Sequence, residues 1–390
     1  FNDTATTEIY TLSLHDALPI LNVVFNDVPV ARTVAVTGLL AISLWLVLVL
    51  EVSGVRRSAW VITLCMAMAG LFVMVLLLAP DTAQQQALDA LQQAQQDPAS
   101  PEYRHWLTPQ AFAQRFGVAQ ADIDAIVAWL TQQGFRVDEV SAGGRSIVFS
   151  GNAGLVRDAF GVTLRYYERL GERHIAHADE VQIPAALAGV VAGIASLHDF
   201  RSQPQHQARA LDPVPTTSAS PQATYGSTTH YLAAGDFHTI YNLKSVLGQG
   251  ITGAGRTIAV IGRSNIALSD ANQFRSNMAL PANPPQIVNG GTAPGFVTGD
   301  ELESDLDVQW AGAVATGATV KFVTTASTAT SDGITLSAQY AVNNNIGDVI
   351  TVSYGLCEGL MGTSSVNFYN SLWQQATVQG QTVVVSSGDS

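Results

Sequence analysis

Residues 299–326, GDELESDLDVQWAGAVATGATVKFVTTA, contain a helical stretch that begins with five carboxylates, followed by a run of β-branched residues. Three similar runs lie around it, namely GRTIAVIGRS (255–264), GDVITVSYG (347–355) and QTVVVSSGDS (381–390). Short β-branched runs of this kind are typical of buried strands, and helical stretches lie between them. The sequence therefore predicts an α/β fold in which helices cover both faces of a parallel sheet.

The carboxylates of this stretch form two pairs on a helix, because residues four apart share a face. We expect Glu303 and Asp307 at the border of the buried face, and Glu301 and Asp305 in solvent. The buried face is predicted from an apolar stripe: Leu302, Leu306, Trp310, Ala313 and Val314. A partly desolvated, coupled pair keeps a proton to higher pH, as acid–base chemistry requires. Spacing alone leaves Glu303 and Asp307 open to either this role or a structural one.

Polar residues follow two of the predicted strands, where parallel sheets carry their functional groups. Ser353, Tyr354 and Gly355 end one strand, and the turn Ser387-Gly388-Asp389 ends another. An aspartate in such a turn either caps the next helix or, when protonated, donates a hydrogen bond to a developing oxyanion. The sequence leaves both roles open for Asp389.

The charge balance narrows the class of partner. Lysine and arginine total 18 against 31 aspartate and glutamate residues, and the formal net charge is −13. This composition excludes the basic surface that a nucleic-acid-binding protein needs, and it is compatible with work at acid pH. Of the two cysteines, Cys65 lies in an apolar segment. Cys357 is therefore either a free buried thiol or half of a bridge to a partner outside this sequence.

The N-terminal region is unusually apolar. The first twenty residues lack a basic region and a clear periodicity and resemble adapter read-through, and we interpret residues 1–32 as a non-native or disordered leader. TVAVTGLLAISLWLVLVLEV (33–52) and WVITLCMAMAGLFVMVLLLA (60–79) are each long enough to span a bilayer. The basic loop between them predicts a transmembrane hairpin over 33–79 with a cytoplasmic loop.

Three segments follow the apolar region. Residues 73–200 alternate between helices and hairpins, which predicts a compact α+β domain. Its first residues, VMVLLLAP (73–80), are as compatible with the first strand of that domain as with the end of the second apolar run. Residues 201–227 are rich in Pro, Ser, Thr and Gln and predict an exposed linker, and residues 228–390 contain the predicted parallel sheet.

Several segments together resemble the sedolisin family of serine-carboxyl peptidases, especially its kumamolisin-type members. SPEYRHWLTPQAFAQRFG (100–117) is similar to the propeptide signature of that family, and STTHYLAAGDFHTIYNL (227–243) to the start of its mature domain. GRTIAVIGRS, FRSNMALP, ELESDLDVQWAGAVATGA, VSYGLCEG and GQTVVVSSGDS follow in the family's order. The resemblance covers about 73–390.

This resemblance implies a subtilisin-like catalytic domain at 228–390 behind a ferredoxin-like activation propeptide at 73–200, with the processing site in the linker. By motif, Glu303 matches the general base of the family, Asp307 the acid that orients it, and Asp389 the carboxyl of the oxyanion hole. A carboxylate base stays functional in acid, where an imidazole would be protonated. The resemblance also implies protein or peptide substrates and the propeptide as an intramolecular inhibitor.

The sequence departs from the family pattern in several places. The nucleophilic serine of the family belongs to a downstream Gly-Thr-Ser motif, so we expect a C-terminally truncated fragment that is inactive alone. GTSS at 362–365 precedes the oxyanion aspartate and is interpreted as a loop. The Ca²⁺ ligands of the family, and a partner for Cys357, are likewise expected beyond Ser390. Gly262 and Arg263 stand where some relatives carry a further glutamate, so an extended proton network is not expected.

We therefore expect an acid-active, self-processing serine-type endopeptidase that is secreted or otherwise extracytoplasmic, with 33–79 as a candidate membrane anchor. The alternative is a membrane-anchored, non-catalytic binding module that kept the fold. A subtilisin-type peptidase is excluded because the required Asp…His pair is missing. His230 and His238 are interpreted as structural residues.

Overall fold

The computed structural model describes residues 72–206, 223–225 and 229–388. The leader at 1–32 and the apolar residues 33–71 lie outside the described residues, as does Asp389.

An antiparallel four-stranded sheet organises the first part of the chain. Its strands are β1 (Phe72–Leu78), β2 (Arg136–Val140), β3 (Ser146–Gly151) and β6 (Val191–Ala195), in the spatial order β2-β3-β1-β6. The helices are α1 (Thr82–Gln96), α2 (Pro109–Phe116), α3 (Gln120–Gln132) and α4 (Ala153–Phe160), and a hairpin of β4 (Arg165–Arg169) and β5 (Glu172–Ala176) follows. Helices connect β1 to β2 and β3 to β6, which is the βαββαβ order of a ferredoxin-like unit.

Local sequence signals fix the ends of these helices. The Asp81 side chain accepts a hydrogen bond from the Gln84 backbone in a capping box that opens α1. Thr108 caps α2 through the Ala111 backbone N–H, as predicted from the Thr-Pro pair. Gly161 ends α4 with φ at 69°, a left-handed conformation that favours glycine.

Strand β1 lies between two cores and explains the apolar residues that open this domain. Met74, Leu76 and Leu78 face the core formed with the helices of the first part, whereas Val75 and Leu77 belong to a second core. Both faces of the strand are therefore apolar. The prediction of a membrane span over 60–79 is wrong for residues 72–78, which form this strand. Among the described residues, we find no helix with the length and hydropathy needed to cross a membrane.

A parallel five-stranded sheet organises the second part of the chain. Its strands are β10 (Thr257–Gly262), β11 (Gln286–Asn289), β12 (Thr319–Thr324), β13 (Val349–Val352) and β15 (Thr382–Val385), in the spatial order β11-β12-β10-β13-β15. The helices are α5 (Ala234–Ile240), α6 (Lys244–Gly248), α7 (Leu268–Asn277), α8 (Asp300–Val314), α9 (Gly333–Asn343) and α10 (Glu358–Val378). Short pairs complete the described part: β7 (Gln203–Pro204) with β14 (Tyr354–Gly355), and β8 (Ala223–Tyr225) with β9 (Thr229–Tyr231). The predicted α/β fold is confirmed.

Helices cover both faces of the parallel sheet, as the buried strands require. On one face Val260 and Phe322 pack with Val308 of α8. On the other face Ile261 and other strand residues pack with apolar side chains of α9 and α10. Val75 and Leu77 of β1 join this second core, so the antiparallel sheet packs against the helices of the parallel one.

The register of the parallel sheet places the carboxyl ends of three strands side by side. Ile261 of β10 pairs with Val352 of β13, and Val352 pairs with Val385 of β15. These residues lie at or next to the carboxyl ends of three adjacent strands. The segments that follow them, including Arg263, Ser353 and Ser386, therefore emerge side by side.

Two local predictions near this edge are wrong. Residues 362–365 were expected to form a loop, but they lie within α10, where Gly362 makes a kink with φ at 73°. Cys357 was expected to be buried if free, but it is exposed and lies just before α10. Its expected partner beyond Ser390 stays a prediction.

Candidate active site

The acidic helix α8 buries a different face from the one its apolar stripe suggested. Glu303 is only 2% exposed, whereas Leu302 and Leu306 are 49% and 39% exposed. The buried positions of the helix are Asp300, Glu303, Ser304, Val308, Gly312 and Ala313. The predicted position of Glu303 at the border of the buried face is therefore corrected: it lies within that face.

Contacts with the sheet, not side-chain hydropathy, choose this face. Val308 packs against Val260 and Phe322. Gly262 at the end of β10 is close to both Phe322 and Ser304, because a Cβ there would meet the phenyl ring at 2.4 Å and the Ser304 hydroxyl at 3.2 Å. The side of α8 that carries small residues such as Ser304 therefore approaches the sheet. Glu303 is next to Ser304 and is buried with it.

Asp307 lies one turn after Glu303, and its pKa is raised. Burial raises the pKa of Asp307 to about 7, and the nearby Glu303 acts in the same direction. A hydrogen bond from the Ser353 hydroxyl to Asp307 Oδ1, 2.8 Å long, opposes this rise. The other oxygen, Oδ2, is buried and has no hydrogen-bond partner among the described residues. Such an atom is free to bind a further group that enters the site.

The second carboxylate pair is less exposed than expected. Burial raises the pKa of Asp305 to about 6, with smaller contributions from Asp270 and Glu301. Asp305 Oδ1 is buried without a hydrogen-bond partner. Asp305 and Glu301 are both partly buried, so the prediction that they point into solvent is wrong.

Glu303 is in direct contact with a histidine of the linker. His206 Nδ1 lies 2.5 Å from Glu303 Oε2, and both side chains are largely removed from solvent. The two residues are 97 positions apart. The sequence analysis missed His206, because no signal distinguished it from the other polar residues of a segment rich in proline and glutamine.

The linker reaches Glu303 through a short two-stranded pairing with the residues that follow β13. Gln203 and Pro204 pair antiparallel with Gly355 and Tyr354. The Gln205 backbone N–H then donates to the Ser353 carbonyl over 2.9 Å. The prediction of an exposed linker holds for Gln203 and is wrong for the other residues of 201–206, which are partly buried.

A buried ion-pair network ties this segment to the start of α8. Arg263 donates to both oxygens of Asp300, at 2.8 and 3.0 Å, and to Asp332 at 3.0 Å. Asp332 accepts hydrogen bonds from the backbone N–H and the hydroxyl of Ser202, at 2.9 and 2.5 Å, and caps α9 through Ile334. The sequence analysis considered Arg263 only as a departure from a family pattern and missed this network.

The remaining predicted residues divide between confirmed and untested positions. Ser353 and Gly388 follow β13 and β15, as expected for residues at strand ends. His238 Nε2 lies 2.9 Å from the Ala313 carbonyl, a contact that suits a structural role. Asp389 lies outside the described residues, so its oxyanion role stays a prediction.

The described residues were also compared with the needs of a metal site. Among them, we find no group of three or more His, Cys, Asp or Glu side chains that could hold a metal ion. These residues therefore do not fit the Ca²⁺ site implied by the family resemblance, and that site stays a prediction for residues beyond Ser390.

Known proteins resemble both parts of this structure. Residues 72–200 match the family described as Pro-kumamolisin, activation domain. Sedolisin of Pseudomonas sp. (strain 101) is 29% identical over 310 residues, which are 77% of this chain and 51% of that protein. Xanthomonalisin of Xanthomonas sp. (strain T-22) is 29% identical over 307 residues, 75% of this chain and 36% of that protein. Kumamolisin of Bacillus sp. (strain MN-32) is 26% identical over 312 residues, 75% of this chain and 52% of that protein.

A solved structure of Pseudomonas sedolisin, a serine-carboxyl proteinase complexed with two molecules of pseudo-iodotyrostatin, is 30% identical. It covers 35% of this chain and 40% of that chain, with a TM-score of 0.33.

The activation-domain match and the similarity to the three peptidases define a class, that of serine-carboxyl peptidases made with an activation propeptide. This chain is similar to three members of that class over about three quarters of its length, and its residues 72–200 match their activation domain. It spans about half the length of the curated sedolisin and kumamolisin that it matches, and a smaller share of xanthomonalisin.

Proposed function

We propose that this chain belongs to the zymogen of a serine-type endopeptidase that hydrolyses proteins in acid. Glu303 is the proposed general base, Asp307 the acid that tunes it, and Asp389 the oxyanion group. One observation carries the proposal: Glu303 is buried, Asp307 one turn later is partly buried, and an extended segment of the chain contacts Glu303 through His206. A site of this kind presents a base to a bound peptide bond.

The environment of Asp307 supports acid–base work by the pair. With a pKa raised to about 7, Asp307 keeps its proton throughout the acid range. A protonated Asp307 can donate a hydrogen bond to a group that enters the site beside Glu303. Glu303 would then accept the proton of the family's serine hydroxyl as that oxygen attacks the peptide carbonyl, and later return it to the leaving amine.

The linker supports the zymogen part of the proposal. His206 occupies Oε2 of Glu303, and residues 203–205 pair with Ser353, Tyr354 and Gly355, to which a peptide substrate would add a strand. The N-terminal part of the chain is thus the proposed intramolecular inhibitor. A substrate reaches the carboxylates only after this segment leaves.

Further expectations from the family belong to the same proposal. We propose a secreted or otherwise extracytoplasmic location, which suits an acid-active peptidase. Ca²⁺ is proposed as a structural ion bound by residues beyond Ser390, and no catalytic step uses it. Attachment to a membrane through 33–71 is kept as a prediction for residues outside the described part.

The base is tested by Glu303→Gln in the protein encoded by the complete gene. The amide keeps the size of the side chain but cannot accept the serine proton, so self-processing and casein hydrolysis at about pH 4 should fall by about 10²–10⁴-fold. Glu301→Gln is the matched control, because it makes the same change two residues away on the same helix. We expect the control to process within about twofold of the parent.

Equal processing rates for the parent and Glu303→Gln would remove Glu303 from the role of base. If the parent itself neither processes nor cleaves casein at any pH between 3 and 8, the peptidase proposal fails. The non-catalytic binding module would then be the better description. Circular dichroism of each variant shows whether a loss of activity reflects unfolding instead.

A further inference from the structure

From the position of the linker in the cleft, we infer that the peptide bond between Gln205 and His206 is the first self-cleavage site of this protein. The inference rests on the proposed function and adds the bond that it acts on. It uses the contacts of residues 202–206, which the structure describes.

Backbone contacts place Gln205 at the end of the paired segment. Gln203 and Pro204 lie opposite Gly355 and Tyr354, and the Gln205 N–H donates the last hydrogen bond, to Ser353. Pro204 fits a position of this short ladder that needs no N–H donor. The backbone pairing ends at Gln205, so the next peptide bond is the first one free of the ladder.

Ser353 brings that bond to the carboxylates. Its carbonyl holds Gln205, while its hydroxyl binds Asp307 at 2.8 Å. On the far side of the bond, His206 contacts Glu303 at 2.5 Å. The bond between Gln205 and His206 is therefore flanked by the two residues proposed for acid–base chemistry.

The Gln205 side chain lies in a slot between two glycines. A Cβ added at Gly355 would meet this side chain at 3.0 Å, and one added at Gly388 would meet it at 2.7 Å. Both positions lack a side chain where the glutamine passes. A cavity of about 1020 Å³ continues from the slot and is lined in part by Ser386 and Ser387. The side chain of the residue in this slot is thereby held next to Gly388, which follows β15.

Ser202 provides the distant anchor of the same segment. Its backbone N–H and hydroxyl both donate to Asp332, which is fixed by Arg263. The Ser202 hydroxyl, three residues before Gln205, is thus bound by Asp332. The ion pair with Arg263 fixes the position of that carboxylate. Peptides with serine or threonine at that place are the substrate class that this cleft fits.

The chemistry is a hydrolysis. The serine hydroxyl of the family attacks the Gln205 carbonyl carbon, and its proton passes through Glu303 to the His206 nitrogen as the C–N bond breaks. Water then releases the acyl group as the Gln205 carboxylate and returns the serine hydroxyl. The products end in Gln205 and begin with His206, and one water molecule is consumed.

The test is acid activation of the complete protein, with intact-mass analysis and N-terminal sequencing at early times. We expect a first new N-terminus at His206, formed at a rate independent of protein concentration, and absent in Glu303→Gln. Gln205→Pro removes the N–H that binds Ser353 and should slow this cut at least about 100-fold. Gln205→Ala keeps the N–H and should stay within about tenfold of the parent.

A peptide assay tests the cleavage site even if the variants of the protein fail to fold. The activated parent is offered the peptide DFRSQPQHQARA, which spans residues 199–210, and cleavage between the Gln and His that correspond to 205 and 206 is expected. A peptide with alanine for Ser202 should be cleaved more slowly. Activity on casein with a first cut elsewhere, or an unchanged rate in Gln205→Pro, overturns this inference but leaves the proposed function intact. Loss of all peptidase activity in the parent overturns both.

Discussion

Asp307 shows how burial prepares a single residue for chemistry. Its carboxyl is removed from solvent on a helix that packs against the sheet, and only the Ser353 hydroxyl compensates one of its oxygens. Burial therefore raises its pKa to about 7, against an ordinary value of 3.8. The consequence is energetic as well as catalytic, because the folded protein must hold a proton that the unfolded chain releases.

Asp307→Asn should change the pH dependence of stability in a Glu303→Gln parent that cannot cleave itself. Burial is the largest cause of the raised pKa, so it persists without Glu303. The protonated Asp307 favours folding fully below pH 3.8, and this contribution is lost as the pH rises to about 7. Asparagine at position 307 does not titrate, so this dependence of the folding stability on pH disappears. At pH 8 the variant should be more stable by on the order of 2 kcal/mol, as measured by urea unfolding.

Asp348→Asn is the control with the opposite sign. Hydrogen bonding to the Thr257 backbone lowers the pKa of Asp348, so its ionised form stabilises the fold above pH 3.8. Asparagine at this position should make the protein less stable at pH 8. If Asp307→Asn follows the parent at every pH between 4 and 8, the raised pKa of Asp307 is wrong.

At the scale of elements, Gly262 is the contact that lets α8 approach the sheet. A Cβ at this position would lie 2.4 Å from the fully buried Phe322 ring, and Ser304 of α8 is close as well. A longer side chain would push the helix that carries Glu303 away from β10. This packing also explains why a further carboxylate at position 262 does not fit this protein.

Gly262→Ala should therefore destabilise the Glu303→Gln parent by about 1–3 kcal/mol, because overpacking a rigid core forces its neighbours to shift. Gly295→Ala is the control, since a Cβ there has open space around it. Its effect should stay within about 0.5 kcal/mol. The stabilities of the parent and of the Gly262→Ala and Gly295→Ala variants are compared by urea unfolding at one pH. Equal stabilities would contradict the packing argument.

The sequence predicted the elements well and their contacts less well. Strands and helices follow from local periodicity, so β10, β12, β13, β15 and α8 were expected near their observed positions. The face of α8 was wrong because periodicity counts apolar residues, whereas Gly262 and Phe322 decide which side of the helix fits. His206 could not be predicted, because its contact with Glu303 joins residues 97 positions apart through the fold.

At the scale of the whole molecule, strand β1 connects the two parts of the chain. Its alternate residues enter different cores: Leu76 packs with the helices of the first part, and Leu77 packs with Phe368 and Leu372 of α10. Ser331 adds a polar contact, since its hydroxyl donates to the Val73 carbonyl. Neither part can lose its structure without exposing one face of this strand.

The two parts should consequently unfold together. Calorimetry of the Glu303→Gln protein should show one transition, in which the measured and van't Hoff enthalpies agree. Leu77→Ala leaves a cavity between β1 and α10 and should destabilise the protein by about 2–5 kcal/mol. Because Leu77 is shared through β1, the whole transition should move to lower temperature instead of splitting. Two separate transitions in the parent would show that the parts fold independently, and the shared core would then contribute little to holding the linker in the cleft.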